Sequence, residues 1–184
     1  SVAVVALVVL ESFAIVGAFI NAVAVLLTFG TDLRKQNVNI FFGNMAFADF
    51  VNAFIFLIFQ PYVILNSNYW ESEACKWLGF IQFLVSIETV TFIPYLAVNR
   101  YIRLFHHNLY NRLYSKRGII LMVTASWVMA TFVVAPYKIG NLTGFDVENI
   151  HCCVRYARDI FWDAYYLSFT FAPIVFADSV ALLA

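Results

Sequence analysis

Residues 75–101, CKWLGFIQFLVSIETVTFIPYLAVNRY, decide the fold of this chain. At about 1.5 Å per helical residue, Cys75 and Arg100 would lie roughly 37 Å apart, slightly more than a hydrocarbon core of about 30 Å. Between 77 and 98 the stretch carries one charge, that of Glu88, and its other polar groups are interspersed among large apolar side chains. This pattern predicts a membrane-crossing helix in the interior of a bundle, with Cys75 on one side of the membrane and Arg100 on the other.

The whole chain has the composition of an integral membrane protein. Of its 184 residues, 63% are hydrophobic and 12% are charged, and the mean hydropathy is +0.82. These values exclude an ordinary soluble domain. The formal net charge is zero, so nothing indicates a nucleic-acid partner. The chain begins at Ser1 and ends at Ala184 within an apolar run, so we expect a fragment of a longer protein.

Five apolar stretches are long enough to cross a bilayer. They occupy residues 2–28, 40–65, 77–98, 118–136 and 160–184. This arrangement predicts an all-α transmembrane helix bundle. We expect its helices to bury their few polar residues against one another, because an isolated polar group facing lipid is costly.

Two independent signals predict the orientation in the membrane. The connection 100–117 has five Lys and Arg residues and no acid, which is typical of a cytoplasmic loop. The triplet Asn141-Leu142-Thr143 is a glycosylation sequon, and sequons are used only on the lumenal or extracellular side. Both signals place the amino end outside the cell. We therefore expect a multi-pass plasma-membrane glycoprotein with its glycan at Asn141.

Asp49 is the residue whose burial costs most, at least about 2.5 to 3.5 kcal/mol for a carboxylate at mid-membrane. It requires polar company, and we expect Asn21, Asn52 and Thr89 near it. Asp49 is interpreted as an ion or proton site, with a structural polar contact between helices as the alternative. Three further acids, Glu11, Glu88 and Asp178, are expected to be packed and hydrogen-bonded, although Glu88 could also line a cavity that opens outward with Gln82.

The three cysteines are too few for a disulfide framework and fit no metal-binding spacing. Cys75, Cys152 and Cys153 all lie on the predicted oxidising side, so a disulfide between Cys75 and one of the adjacent pair is expected. The spacing after Ile150 favours Cys153, and Cys152 stays open as the alternative. The sequence also has no nucleophile beside a base and no phosphate-binding glycine loop, so we predict that the protein is not an enzyme.

Taken together, these residues resemble the rhodopsin-like (class A) G-protein-coupled receptors, with the chain covering helices one to five of seven. The resemblance would make residues 1–184 one partial seven-transmembrane receptor domain. It is carried by six features in order: Asn21, Met45-Ala46-Phe47-Ala48-Asp49, Cys75, Asn99-Arg100-Tyr101, Trp127 and Pro173.

A narrower resemblance is to the melatonin receptors and the invertebrate orphan receptors grouped near them. It is carried by the Asn form of the arginine triplet together with His106, Tyr110 and Leu113-Tyr114-Ser115. Where melatonin receptors have an Asn and a His in the pocket, this chain has Tyr137 and Phe169, so melatonin does not carry over as the ligand. Gln82 stands where amine receptors have an Asp, which argues against a monoamine.

The resemblance implies two linked sites. An extracellular small-molecule or peptide ligand would contact a pocket that includes Gln82, Phe83, Ser86, Tyr137 and Phe169. Inside the cell, a heterotrimeric G protein would engage a surface that includes Asn99, Arg100, Tyr101 and Leu109. Besides these partners we expect only membrane lipid.

The resemblance also implies an allosteric ion. Asp49 and Thr89 would hold a sodium ion that favours the inactive state, and no other cofactor or metal is expected. Two other functions stay open. The chain could be an ion or proton transporter or channel subunit in which Asp49, Glu88 and Asp178 form a path, or a truncated receptor that only associates with a full-length partner.

Overall fold

The computed structural model describes residues 2–65, 72–146, 151–154 and 165. They form five α-helices and a two-stranded sheet. The helices are α1 (Val2–Gly30), α2 (Asn39–Leu65), α3 (Glu73–Phe105), α4 (His107–Leu113) and α5 (Lys116–Ile139), and the strands are β1 (Thr143–Asp146) and β2 (His151–Val154). A short 3-10 turn, Asp32–Lys35, joins α1 to α2.

Four of these helices, α1, α2, α3 and α5, are long and apolar enough to cross a membrane. They correspond to the first four predicted spans, and α3 continues to Phe105, beyond the predicted end at 98. The fifth predicted span, with Pro173 and Asp178, lies outside the described residues except for Tyr165. The predicted helical bundle is confirmed, although the β-hairpin between β1 and β2 was not predicted.

Local sequence explains where the helices start. Ser72 precedes α3, and its Oγ accepts a hydrogen bond from the backbone N–H of Cys75. Ser115 precedes α5 in the same way, with Oγ accepting from the N–H of Gly118. Both serines satisfy amides that have no partner within the helix, which explains why α3 and α5 begin at these residues. Helix α3 begins at the hairpin end of the bundle, and α5 begins at the end that carries α4.

The bundle has an apolar cluster at each end and polar contacts between them. At the α4 end, the ring of Phe41 packs on Phe92, Tyr95 and Tyr114, with Ile119 buried beside them. The cluster at the hairpin end consists of Val63, Cys75, Phe145 and Cys152. Apolar packing therefore holds α2, α3 and α5 together at the α4 end and holds α2, α3 and the hairpin together at the other end. The middle is left for the polar groups described below.

The hairpin lies directly on α3 at Gly79. A Cβ atom built on Gly79 would come within 2.9 Å of the backbone oxygen of Cys153. Backbone atoms of a strand cannot move aside as the tip of a flexible side chain can. Gly79 is therefore required for the close approach of β2 to α3.

We expect Gly79→Ala to lower the thermal unfolding midpoint of the purified protein, with a loss of about 1 to 3 kcal/mol from the displaced hairpin. The control is Gly17→Ala in α1, whose added Cβ would sit 3.9 Å from the Cβ of Ala53, an ordinary contact. Unfolding followed by tryptophan fluorescence measures both variants. Equal midpoints for the two variants would show that the hairpin does not depend on Gly79.

Candidate functional site

The disulfide joins Cys75 to Cys152, with an S–S distance of 2.05 Å. The preference for Cys153 is therefore wrong. The strand register explains the choice, because Cys152 lies opposite Phe145 and Cys153 lies opposite Gly144. Adjacent residues of a strand point to opposite faces, so only one of the two cysteines faces α3 with Phe145. Cys152 is buried in that cluster, and Cys153 contributes its backbone to the contact with Gly79.

Beneath the hairpin, a narrow cleft opens between α2, α3 and β2. Its lining consists of Ile55, Phe59, Val63, Leu78, Gln82 and Cys152. Among the described residues that line it, Gln82 has the only polar side chain, so an amide faces an otherwise apolar wall. The cleft holds about 10 Å³, room for roughly one water molecule. A ligand of drug-like size would therefore have to extend from this cleft to neighbouring residues.

The other predicted pocket residues lie beside the cleft on α3 and α5. The ring of Phe83 contacts the ring of Tyr137 edge-on at 5.4 Å, and Tyr137 in turn contacts Tyr165 at 5.5 Å. Ser86, one turn below Gln82, donates a hydrogen bond to the Gln82 carbonyl oxygen and accepts one from Asn52. The structure thus brings Gln82, Phe83, Ser86 and Tyr137 to one region, and Phe169 lies outside the described residues.

Asp49 and Thr89 meet in the middle of the bundle. The Thr89 hydroxyl donates a hydrogen bond of 2.8 Å to Oδ1 of Asp49, which joins α2 to α3. Of the three residues expected near this carboxylate, only Thr89 bonds to it, because Asn52 donates to Ser86 and Asn21 donates to the carbonyl of Gly17. Carboxylate and hydroxyl oxygens are suitable ligands for a hard cation, so the pair fits a sodium ion.

A second polar contact joins α3 to α5. The side chain of Glu88 is fully buried, and its Oε1 accepts a hydrogen bond from the hydroxyl of Ser126. Glu88 and Thr89 are neighbours in the chain, yet they face different helices because successive helical residues are rotated by about 100°. The structure therefore packs Glu88 against α5, and an outward-opening cavity shared with Gln82 stays a prediction. Sequence reasoning missed Ser126, whose only signal was a hydroxyl inside an apolar span.

Trp127 belongs with Asp49, Thr89, Glu88 and Ser126 to a polar layer in the middle of the bundle. Its indole N–H donates to Oδ1 of Asn44 at 3.3 Å and so connects α5 to α2. The layer thus links α2, α3 and α5 pairwise through side chains. Because an unpaired polar group in this interior is expensive, these contacts should fix how the three helices face one another.

Arg100 lies at the other end of α3 and is exposed. Within the part of the chain that the structure describes, its guanidinium makes no hydrogen bond or ion pair. The preceding residue, Asn99, is buried and neutral, so it provides no carboxylate for the arginine. The cation is therefore available to a partner.

Exposed apolar side chains follow Arg100 in the chain at this end of the bundle. Tyr101 is 40% exposed, Leu109 is 43% exposed, and Leu104 and Phe105 are still more open. The ring of Tyr101 packs on Phe105 and His106, which orients it at the end of α3. A cation within an exposed apolar patch is typical of a surface for a protein partner. Sequence reasoning selected Tyr101 and Leu109 but missed Leu104 and Phe105.

Tyr114 closes the gap between α4 and α5 beneath this surface. Burial in the cluster with Phe41 raises the pKa of its phenol, so it is a neutral group at physiological pH. Its backbone carbonyl accepts a hydrogen bond of 2.9 Å from the Asn37 side chain. Both contacts hold the α4 connection against the start of α2, which determines where Leu109 stands relative to Arg100.

Asn141 follows α5 in a left-handed backbone conformation, with φ of 54°, which asparagine adopts more readily than most residues. Its side chain is exposed, and Thr143 of the sequon lies buried in β1. Asn141 therefore lies at the same end of the bundle as the disulfide and is sterically accessible.

A family model described as the 7 transmembrane receptor (rhodopsin family) matches residues 20–183. The chain is 31% identical to melatonin receptor type 1B-B of Danio rerio over 134 residues, which is 72% of this chain and 38% of that protein. It is 26% identical to the G-protein coupled receptor moody of Drosophila pseudoobscura pseudoobscura over 64% of this chain and 18% of that protein. Chemerin-like receptor 2 of Mus musculus is 28% identical over 63% of this chain and 33% of its own length. The chain thus spans about two fifths or less of these relatives.

Proposed function

Because the chain belongs to the rhodopsin family of seven-transmembrane receptors, close to the melatonin receptors, we propose that the whole protein is a plasma-membrane receptor. In this proposal it transmits the binding of an extracellular ligand to a heterotrimeric G protein and catalyses no reaction itself. The amino end and the hairpin face outward, and α4 faces the cytoplasm. The basic connection 100–117 and the sequon at Asn141 support this orientation.

One observation carries the proposal: Arg100 stands exposed and unpaired among the described residues, at the opposite end of α3 from the disulfide. The G protein would bind this arginine together with Tyr101 and Leu109. An arginine without an acidic neighbour needs no ion pair to be broken before it binds a partner. The cost of G-protein binding should then be mainly that of moving the remaining helices.

The ligand would bind beneath the hairpin. The described part of this region presents aromatic rings at Phe83 and Tyr137 and an amide at Gln82, and it has no charged group facing the cleft. Such a lining suits an uncharged, partly aromatic ligand rather than a cationic amine. The name of the relative from Danio rerio indicates melatonin for that protein, and Tyr137 argues against transferring that ligand to this chain.

Helix α3 connects the two sites. From Gln82 to Arg100 it rises about 27 Å, and the polar layer lies between them. If the ligand and the G protein both prefer the same minor arrangement of helices, each strengthens the binding of the other by an equal factor. The contact between Asp49 and Thr89 would be one element whose geometry differs between the two arrangements.

A bound sodium ion would neutralise the Asp49 carboxylate and favour the arrangement in which Thr89 stays beside it. The described oxygens are suitably placed for this role, and burial makes an uncompensated charge unfavourable. The expected consequence is that sodium lowers receptor activity in the absence of any ligand.

We expect membranes with the full-length receptor and purified G protein to show basal nucleotide exchange that is slower in sodium chloride than in potassium chloride at equal ionic strength. Asp49→Asn should remove this difference, because the amide keeps the size of the side chain and loses its charge. Radiolabelled GTP-analogue binding measures the exchange.

The matched control is Glu88→Gln. It removes another interior carboxylate, which lies on α3 and bonds to Ser126 of α5. This variant should keep the sodium effect. Persistence of the effect in Asp49→Asn, or its loss in both variants alike, would contradict a sodium site at Asp49. If neither the wild type nor any variant raises nucleotide exchange above the level of receptor-free membranes, the receptor function itself would be contradicted.

A further inference from the structure

A crevice opens at the α4 end of the bundle, where α1 ends and where α2 and α5 begin. It holds about 670 Å³. Its lining consists of Phe29, Lys35, Asn37, Ile40, Lys116 and Ile120. None of these residues belongs to the ligand region, the sodium pair or the surface around Arg100.

The crevice is polar at one end and apolar at the other. Lys35 lies in the connection after α1 and Lys116 is the first residue of α5, so both ammonium groups belong to the membrane surface. Phe29 lies in the last turn of α1 and Ile120 lies one turn inside α5, at 43% and 50% exposure. Apolar groups therefore follow directly beneath two cations, which matches the order of groups in a phospholipid.

Hydrogen bonds hold in place the backbone segments that carry the two lysines. The Asn37 side chain donates to the backbone oxygen of Tyr114, two residues before Lys116, at 2.9 Å. On the other side, Asn39 donates to the carbonyl of Leu33, two residues before Lys35, also at 2.9 Å. The connection with Lys35 and the start of α5 are thus tied together, so the crevice exists before any ligand enters.

The two cations are available for an anion. Within the described residues, Lys116 makes no ion pair. Lys35 pairs with Asp32 at 2.8 Å, but these side chains are 72% and 83% exposed. Exposed pairs of this kind contribute little to stability, so Lys35 can turn to a phosphate at small cost.

We propose that this crevice binds one anionic phospholipid of the cytoplasmic leaflet. Its phosphate-bearing headgroup lies between Lys35 and Lys116, and an acyl chain runs along Phe29 and Ile120. The cytoplasmic leaflet is the one rich in anionic lipid, and the proposal rests on the orientation given above. Neither the receptor ligand nor the G protein takes part, so lipid binding can be tested apart from signalling.

The test measures binding of dioleoylphosphatidylserine to the purified full-length receptor by native mass spectrometry. The double variant Lys35→Gln/Lys116→Gln should bind the first lipid about thirtyfold more weakly, given the usual contribution of a Lys near an anionic surface. The matched control Arg112→Gln/Arg117→Gln removes two charges from the same face but leaves the crevice lining intact. It should bind like the wild type.

The apolar half of the crevice has its own variant. Ile120→Trp keeps both lysines and fills the groove at an exposed position, so it should also weaken phosphatidylserine binding. Glycerophosphoserine, which has the headgroup without acyl chains, should not displace the lipid. Dioleoylphosphatidylcholine, whose headgroup carries no net charge, should bind the wild type and the two double variants equally.

Three results would overturn the proposal. Equal weakening by the two double variants would show diffuse attraction to the whole basic face. Unchanged binding of phosphatidylserine to Lys35→Gln/Lys116→Gln would show that the crevice is not the lipid-binding site. Displacement by glycerophosphoserine would indicate a site for a free anion instead of a lipid.

Discussion

Arg100→Ala is expected to reduce basal nucleotide exchange on the G protein to the level of receptor-free membranes. The arginine is an exposed cation near the end of α3, and no described residue pairs with it. Removing its guanidinium takes away the donors that would bind backbone carbonyls of the G protein, and Tyr101 and Leu109 can supply only packing. Losing a hydrogen-bonded charge at the centre of an interface typically costs about 2 kcal/mol or more.

The control for this experiment is Arg112→Ala. Arg112 is also exposed and basic, and it lies in the last turn of α4 away from the end of α3. Exchange should stay close to wild type in this variant, and surface expression of both should be unchanged because neither side chain packs in the core. Wild-type exchange in Arg100→Ala, measured at equal expression, would reject the proposed coupling role.

Cys152→Ser and Cys153→Ser are expected to differ strongly although the two residues are adjacent. Cys152→Ser opens a disulfide that closes a loop with a sequence separation of 77 residues. The chain-entropy model gives about 4 kcal/mol for a loop of this length, an amount comparable with the whole stability of many domains. The serine also leaves a hydroxyl in the apolar cluster with Val63 and Phe145, which lowers the stability further.

Cys153→Ser keeps the disulfide and should retain surface expression and thermal stability close to wild type. Cys75→Ser should reproduce the defect of Cys152→Ser, because each removes the same bond. Surface labelling of an amino-terminal tag together with the unfolding midpoint measures all three. A defect in Cys153→Ser as large as that in Cys152→Ser would contradict the strand register that selects Cys152.

The first four membrane-spanning helices could be predicted because they depend on properties that are local in sequence, although α3 extends beyond its predicted end. An apolar run of spanning length has few alternatives to a transmembrane helix. The contact between Asp49 and Thr89 was also foreseen, since a carboxylate at that depth must have a polar partner. The family resemblance rested on the same residues, and the match over residues 20–183 confirms it.

The disulfide shows where such reasoning ends. Cys152 and Cys153 have identical side chains and nearly the same sequence separation from Cys75. The sequence alone therefore does not show which of them forms the disulfide. The choice follows from the pairing of Phe145 with Cys152, which depends on the register of the hairpin. A shift of one residue in that pairing would have brought Cys153 to α3 instead.

The sequence by itself therefore determined the class of protein, the helices and the residues at each end of α3, because hydrophobic length and charge act locally. Only the tertiary structure decided which side chains meet across helices. Glu88 pairs with Ser126 of α5 while its neighbour Thr89 pairs with Asp49 of α2, because successive helical residues are rotated about the helix axis. Likewise, Lys35 and Lys116 share one crevice because a hydrogen bond from Asn37 to Tyr114 joins two distant connections, and one from Asn39 to Leu33 fixes the first of them.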